Sequence, residues 1–183
     1  MNYWKEYPEF WRNKQKGNAM LEKQKEELAS DLKTLIEALE IKTVIDVGGY
    51  DGRMKELLPE TVEYHNLDIF VGFDITYDWT HQLIEKNIVL DDPEHTLAFT
   101  SLTLIALMPP AAQHVLTQMR KYAKTQYYYE EKPGELPKGS NWMQVAKEYG
   151  GKWAYDWDSF IGNVDQLNSD VNPKWVRIFS KPI

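Results

Sequence analysis

The sequence predicts one α/β domain built on a largely parallel sheet, and three observations carry that prediction. An amphipathic helical stretch leads into a short β-branched apolar run. That run ends in a glycine-rich turn, and a second apolar alternation follows after only a brief crossover, which together make a βαβ unit.

Each element follows from its own residues. Between Asn18 and Glu40 the chain is rich in Leu, Glu and Lys, and Leu28, Leu32, Leu35 and Leu39 recur at the helical period, a packing stripe for the core. Thr43-Val44-Ile45-Asp46-Val47, bounded by Gly48 and Gly49, reads as a buried strand. Gly52 to Leu58 forms a helix that Pro59 stops, and Val62 to Ile69 alternates into a second strand closed by Asp68. Phe70 to Thr76 is a further short strand, and Leu97 to Leu104 another, after the turn Asp91-Asp92-Pro93-Glu94.

Pro109-Pro110 opens a helix over Ala111 to Tyr122, since proline is tolerated in a first helical turn. Thr125 to Glu130 is β-prone, and residues 132–139 are a loop. The last third offers helices near Asn141 to Tyr149 and Ser159 to Leu167, with strands near Lys152 to Trp157 and Lys174 to Ser180. Residues 2–11 hold Tyr3, Trp4, Tyr7, Phe10 and Trp11 at roughly helical spacing, an aromatic face that must cover something apolar. Residues 1–40 are thus a helical N-terminal extension of the same domain whose main body is 41–183, and a chain of 183 residues fits that single unit.

Composition narrows the function. Hydrophobic residues are 43% and charged residues 27%, the balance of a folded globular chain. The longest apolar run, Leu102 to Met108, falls far short of the ~20 residues of a membrane helix, so no membrane partner is expected. The charged, proline-containing start at Met1 to Pro8 does not resemble a signal peptide, and a cytoplasmic location is expected. With no cysteine, disulfides, thiolate metal sites and a cysteine nucleophile are all excluded. His65, His81, His95 and His114 make no metal-ligand pair, so no metal is expected. A net charge of −7 disfavours a broad phosphate-tracking face, and nucleic acid is unlikely as a partner.

The informative segment is Val44 to Arg53. A strand running into a glycine turn and then a helix presents bare backbone N–H groups to a ligand. A dinucleotide fingerprint would need glycine at 50 and 53, where Tyr50 and Arg53 stand, so nicotinamide binding is excluded. Asp46, inside an apolar strand, needs hydrogen bonds, either from backbone amides of its own turn or through water to a ligand's amino group.

Asp46-x-Gly48-x-Tyr50-x-Gly52 resembles the acidic-x-Gly-x-Gly-x-Gly motif of class I S-adenosylmethionine-dependent methyltransferases, with Tyr50 in place of the middle glycine. The resemblance runs from about residue 41 to 183 and implies a Rossmann-like sandwich, a central, mostly parallel seven-stranded sheet with helices on both faces. It implies S-adenosylmethionine as cofactor. The turn at Asp46, Gly48, Gly49, Tyr50 and Gly52 would wrap the methionine end, and Asp68 would accept from both ribose hydroxyls at charge-assisted strength.

Phe73-Asp74-Ile75-Thr76 resembles the third-strand end, where Asp74 would accept from the adenine amino group and Ile75 would cover the ring; Asp78 is the alternative adenine contact. Ala98 to Leu104, with Ser101, resembles the fourth strand and the stretch beside the reacting methyl group. Val115 to Glu131 resembles the following helix and fifth strand, and Trp175 to Phe179 the antiparallel terminal strand. Thr100-Ser101-Leu102-Thr103 lacks the Pro-Pro-aromatic run of adenine-methylating members.

The resemblance implies methyl transfer by direct displacement onto a small-molecule or protein acceptor, with no covalent intermediate and no catalytic side chain named. His95 as a base, and Glu130-Glu131 against an acceptor amine, are weaker readings than a surface histidine and solvated charges. The alternative from another class is a catalytically silent methyltransferase-like module acting in cofactor binding or protein interaction, which Tyr50 and the lack of a clear base keep open.

Overall fold

A computed structural model describes residues 18–104, 107, 109–131 and 164–180. Helix α1 covers Ala19–Ala38, and its first turn is capped by Asn18, whose side chain accepts from the Met20 amide at 3.1 Å. Leu28, Leu32 and Ile36 are buried on its inner face, while Leu35 and Leu39 pack half-buried against the same cluster. Strand β1 is Thr43–Val47, as the β-branched run predicts. The helix expected after the turn is a 3₁₀ helix over Arg53–Leu57, entered through Gly52 at φ 76°. Strand β2 follows at Glu63–Leu67.

The remaining elements are a 3₁₀ turn at Ile69–Val71, helix α2 at Trp79–Glu85, a 3₁₀ turn at Pro93–His95, β3 at Thr96–Ser101, α3 at Pro109–Tyr122, β4 at Thr125–Glu131, β5 at Val164–Asn168 and β6 at Trp175–Ser180. The sheet order is β2-β1-β3-β4-β6-β5. The first four strands run parallel, and β6 and β5 pair antiparallel.

Three expectations are corrected. The sheet is mixed and has six strands among the described residues instead of seven. Phe70 to Thr76, expected as a strand, is not one: Asp68 accepts from the Phe70 amide and starts a 3₁₀ turn, which Gly72 closes at φ 85°. The chain then enters a side-chain-capped turn at Asp74 and pairs with no strand. Residues 164–167, expected at the end of a helix, lie in β5. The aromatic stretch 2–11, the loop 132–139, the helix at 141–149 and the strand at 152–157 lie outside the described residues. No described helix is long and apolar enough to cross a membrane.

Two apolar clusters cover the two faces of the sheet. One joins α1 and the first 3₁₀ helix to Val44, Leu97, Phe99, Tyr127 and Tyr129; the other joins α2 and α3 to Ile45, Val47, Ala98, Tyr128 and Ile178. The run Tyr127-Tyr128-Tyr129 shows why the sheet needs helices on both sides, since successive rings point to opposite faces and all three are fully buried.

Helix and strand periodicity meet on the α1 face. Glu27 and Asp31 are one helical turn apart, Tyr127 and Tyr129 one strand repeat apart, and the hydroxyls donate to Asp31 Oδ2 at 2.6 Å and Glu27 Oε2 at 2.5 Å. Glu27 also accepts from Ser169 Oγ and the Asp170 amide, both at 2.7 Å, so one carboxylate ties α1 to β4 and to the loop before β6. Arg177 lies 3.4 Å from Asp31 and 3.7 Å from Glu27. Removing Glu27 takes the shared acceptor from the Tyr129 and Ser169 hydroxyls, which keep only each other, and from the exposed Asp170 amide. Glu27→Ala is therefore expected to lower the unfolding free energy by about 2–3 kcal/mol in urea titrations, and Glu27→Gln, which keeps an acceptor, by less.

Candidate functional site

The carboxyl ends of the parallel strands gather the chemistry, and the turn after β1 is their centre. It alternates in backbone hand: Gly48 stands at φ 79°, Tyr50 at 56° and Gly52 at 76°. Glycine adopts such angles without steric cost, whereas tyrosine does not.

The glycines are also fixed by what lies against them. A Cβ on Gly48 would fall closer than 3.0 Å to the Thr103 side chain, and one on Gly49 equally close to the Asp46 carboxyl group. Thr103 hooks under the turn, and its hydroxyl donates to the Gly48 carbonyl at 3.4 Å. The Gly48 amide donates to the Leu67 carbonyl at 2.8 Å and carries the β1–β2 ladder past the end of β1.

Strand β2 holds the turn from the other side. Tyr64, Asn66 and Asp68 are two residues apart, so they share one face of the strand and its extension. The Tyr64 hydroxyl donates to Asp46 Oδ2. Asn66 Nδ2 donates to the Tyr50 carbonyl at 2.9 Å. Asp68 Oδ2 accepts from the Tyr50 amide at 2.9 Å, and Oδ1 from the Phe70 amide at 2.8 Å. The rings of Tyr50 and Phe70 meet with centroids 4.7 Å apart.

Burial sets the electrostatics. Asp46 is 2% exposed, and its carboxyl is pushed up to about 7, chiefly by loss of solvation and further by the neighbouring Asp68, against the lowering effect of the Tyr64 hydrogen bond. Burial raises Asp68 too, opposed by its two amide donors. Asp51 adds a third carboxylate and pairs with Arg53 Nε at 2.5 Å.

The third and fourth strands complete the edge. Ser101 ends β3 half-buried and accepts from Gln24 Nε2 of α1 at 2.5 Å. Beyond it Leu102 stands at φ 53°, and its amide donates to the Tyr129 carbonyl at 2.7 Å. Glu130, at 1% exposure, accepts from the Thr103 and Leu104 amides at 3.1 and 3.2 Å through Oε1. It is a buried strut for the loop after β3, not the solvated charge expected.

Asp46, Gly48, Gly49, Tyr50, Gly52 and Asp68 therefore come together, with Ser101 across the Thr103 bridge. Asp46 accepts from the Tyr64 hydroxyl, a partner that was not among those expected for it. The third-strand residues do not join them. Asp74 Oδ1 accepts from the Thr76 amide at 2.9 Å and hydroxyl at 2.6 Å, and Ile75, at 7% exposure, packs in the α2–α3 core cluster. Asp78 is exposed and caps α2 through the Thr80 amide at 2.8 Å. His95 precedes β3, at the opposite end of the sheet, where its Nδ1 lies 2.8 Å from Asp92 Oδ2; it cannot serve a site at the carboxyl edge.

The residues present suit a cofactor with a vicinal diol and a positive charge. After accepting one amide, each Asp68 oxygen keeps a further acceptor position. Asp46, Asp51 and Asp68 surround the turn, and Arg53 pairs with Asp51. Among the described residues no group of His, Asp or Glu is arranged to hold a metal.

No protein-family model and no curated protein sequence matches the chain. Among solved structures, a candidate methyltransferase from Thermobifida fusca YX superposes with a TM-score of 0.53 at 14% identity, over 86% of this chain and 80% of that one. That similarity establishes the fold. The mitomycin 7-O-methyltransferase MmcR superposes at a TM-score of 0.46 and 11% identity, over 84% of this chain and 52% of its own. LepI in complex with SAM gives 0.42 and 14%, over 76% and 43%.

The buried Asp46 sets a pH signature. Its folded pKa lies above the unfolded one, so between about pH 4 and 7 the folded state binds more protons than the unfolded, and stability falls as pH rises. Unfolding titrations across that window are expected to show this slope in the native protein and a flatter one in Asp46→Asn, which keeps an acceptor for Tyr64. Gly49→Ala is expected to lose about 2–4 kcal/mol of stability, because its methyl group collides with the Asp46 carboxyl group.

Proposed function

We propose that the chain is an S-adenosylmethionine-dependent methyltransferase acting on a small-molecule or protein acceptor. The observation that carries the reading is the joining of the glycine turn to the acid that closes β2. Gly48 and Gly52 bend the chain at the carboxyl end of the parallel sheet, where ligands of open α/β sheets bind, and Asp68 clamps that turn while keeping acceptor capacity on both oxygens. The fold shared with the Thermobifida fusca protein, itself a candidate methyltransferase, supports the reading further.

When bound, the cofactor supplies an already activated methyl group on a sulfonium. The chain's residues then have three tasks. Asp68 would take the ribose hydroxyls. The bare turn at Gly48 and Gly49 would admit the methionine end, with the carboxylates of Asp51 and Asp68 favouring a cation in their neighbourhood. Ser101, held by Gln24, and the loop after it, held by Glu130, would shape the acceptor side and exclude water.

A second reading has one specific observation behind it. Gly48 and Gly49 are both accounted for by packing within the protein, against Thr103 and Asp46. A methyltransferase-like module that no longer turns over would keep those glycines for folding alone. Transfer of label from S-adenosylmethionine to a panel of amine, hydroxyl and protein acceptors separates the two. Calorimetry tests the cofactor itself: the native protein is expected to bind S-adenosylmethionine and its demethylated product, and Asp68→Asn to bind both more weakly by about 1–3 kcal/mol.

A further inference from the structure

Resting on the methyltransferase reading above, we infer that Gln24 is a positioning residue of the site: it sets the Ser101 hydroxyl as a hydrogen-bond donor to the methyl acceptor, whose reacting atom is an ionised oxygen.

Gln24 continues the apolar face of α1 with an amide. Gln24, Leu28, Leu32 and Ile36 follow one another at helical spacing on the inner side, and all four are buried, Gln24 at 5% exposure. A leucine there would extend the stripe, whereas a buried amide needs a hydrogen-bond partner. The partner is Ser101, whose Oγ accepts from Gln24 Nε2 at 2.5 Å.

That bond decides what Ser101 has left to offer. Its oxygen already accepts, and its proton meets no acceptor among the described residues. A hydroxyl that accepts one bond is also polarised into a better donor. The donors that follow it are engaged within the protein: the Leu102 amide with the Tyr129 carbonyl, the Thr103 and Leu104 amides with Glu130, and the Thr103 hydroxyl with the Gly48 carbonyl. Of this group the Ser101 proton is left for a ligand, on a half-buried residue at the carboxyl end of β3, the end at which open α/β sheets bind ligands.

A donor beside the reacting atom discriminates between acceptors. Attack on a methyl group uses a lone pair. A neutral amine nitrogen has a single one, and a hydrogen bond from Ser101 would occupy it. An ionised oxygen has more than one, so it attacks through one pair and accepts from Ser101 through another. The bond formed joins oxygen to carbon, the bond broken is carbon to sulfur, and its electron pair stays on sulfur, leaving a neutral thioether and a methyl ether or ester. No proton is released, so the step needs no base. This accords with a site where Glu130 is turned inward to two amides and His95 lies at the other end of the sheet.

Transfer of label from S-adenosylmethionine to matched phenols, carboxylic acids and amines tests this in the native chain, Gln24→Glu, Gln24→Met and Ser101→Ala. The affinity for S-adenosylhomocysteine and the melting temperature of each are recorded alongside. The native chain is expected to methylate a phenol or a carboxylic acid and to leave the matched amine unmodified. Gln24→Glu keeps the side-chain length and the bond to Ser101 but reverses it, because a carboxylate takes the serine proton. That variant and Ser101→Ala are expected to lose about tenfold or more in kcat/KM, the scale of one hydrogen bond to a charged group. Gln24→Met, which extends the apolar stripe, should melt at the native temperature or above and lose as much. Both Gln24 variants should bind S-adenosylhomocysteine within about twofold of the native chain. A loss of transfer that only follows S-adenosylhomocysteine affinity or melting temperature assigns Gln24 to packing and overturns the inference. Transfer to amines alone, or to oxygen acceptors undiminished in the Gln24 variants, overturns it and leaves the methyltransferase reading standing. A native chain that binds S-adenosylhomocysteine but labels no acceptor overturns it in favour of the silent module, and one that does not bind overturns the cofactor reading as well.

Discussion

The Asp68 carboxylate accepts from the Tyr50 amide through one oxygen and from the Phe70 amide through the other, and these two bonds tie the loop after β1 to the loop after β2. One loop leaves β1 through two left-handed glycines; the other leaves β2 as a single 3₁₀ turn. Hydrogen bonds to an ionised acceptor contribute about 1.5–3 kcal/mol each, enough to hold a tyrosine in a glycine conformation. The rest of the edge depends on that clamp. With Tyr50 fixed, Asn66 finds its carbonyl, Gly48 continues the ladder to Leu67, and the rings of Tyr50 and Phe70 meet.

A second set of bonds extends the constraint across the sheet. Glu130 fixes the amides of Thr103 and Leu104, and Thr103 in turn occupies the space that a side chain at position 48 would need. Three consecutive parallel strands, β1, β3 and β4, thus share one braced edge. On the outer face of the same edge, α1 contributes Gln24 to Ser101 and Glu27 to Tyr129. A helix that reads in the sequence as a simple leucine stripe therefore carries polar residues that reach the site.

Much of this was legible from the residues. The β-branched run at 43–47, the glycine turn, the acid ending β2 and the helix opened by Pro109 all follow from local rules, and each stands where those rules put it. What failed did so because a side-chain bond overrode local propensity. The apolar stretch after Asp68 looked like a strand, yet the Asp68 carboxylate captures the Phe70 amide and turns the chain. Glu130 looked solvated because charged residues usually are, and its partners lie 26 and 27 positions away in sequence. Tyr64 and Asn66 could have been found, since their two-residue spacing from Asp68 puts all three on one strand face. Helix α2 had only Asp78 to announce it, and Trp79, fully buried against Tyr122, anchors it through a contact that no periodicity reveals.

On the proposed cofactor reading, a ligand registers at Asp68 and its two amide donors. The most direct measurement is a proton–nitrogen correlation spectrum of the native chain, recorded as S-adenosylhomocysteine is added. The Tyr50 and Phe70 amides, each bonded to the carboxylate that the ribose would share, are expected to move and to saturate along one binding curve. Saturable binding that shifts resonances elsewhere and leaves those two amides unmoved would contradict it.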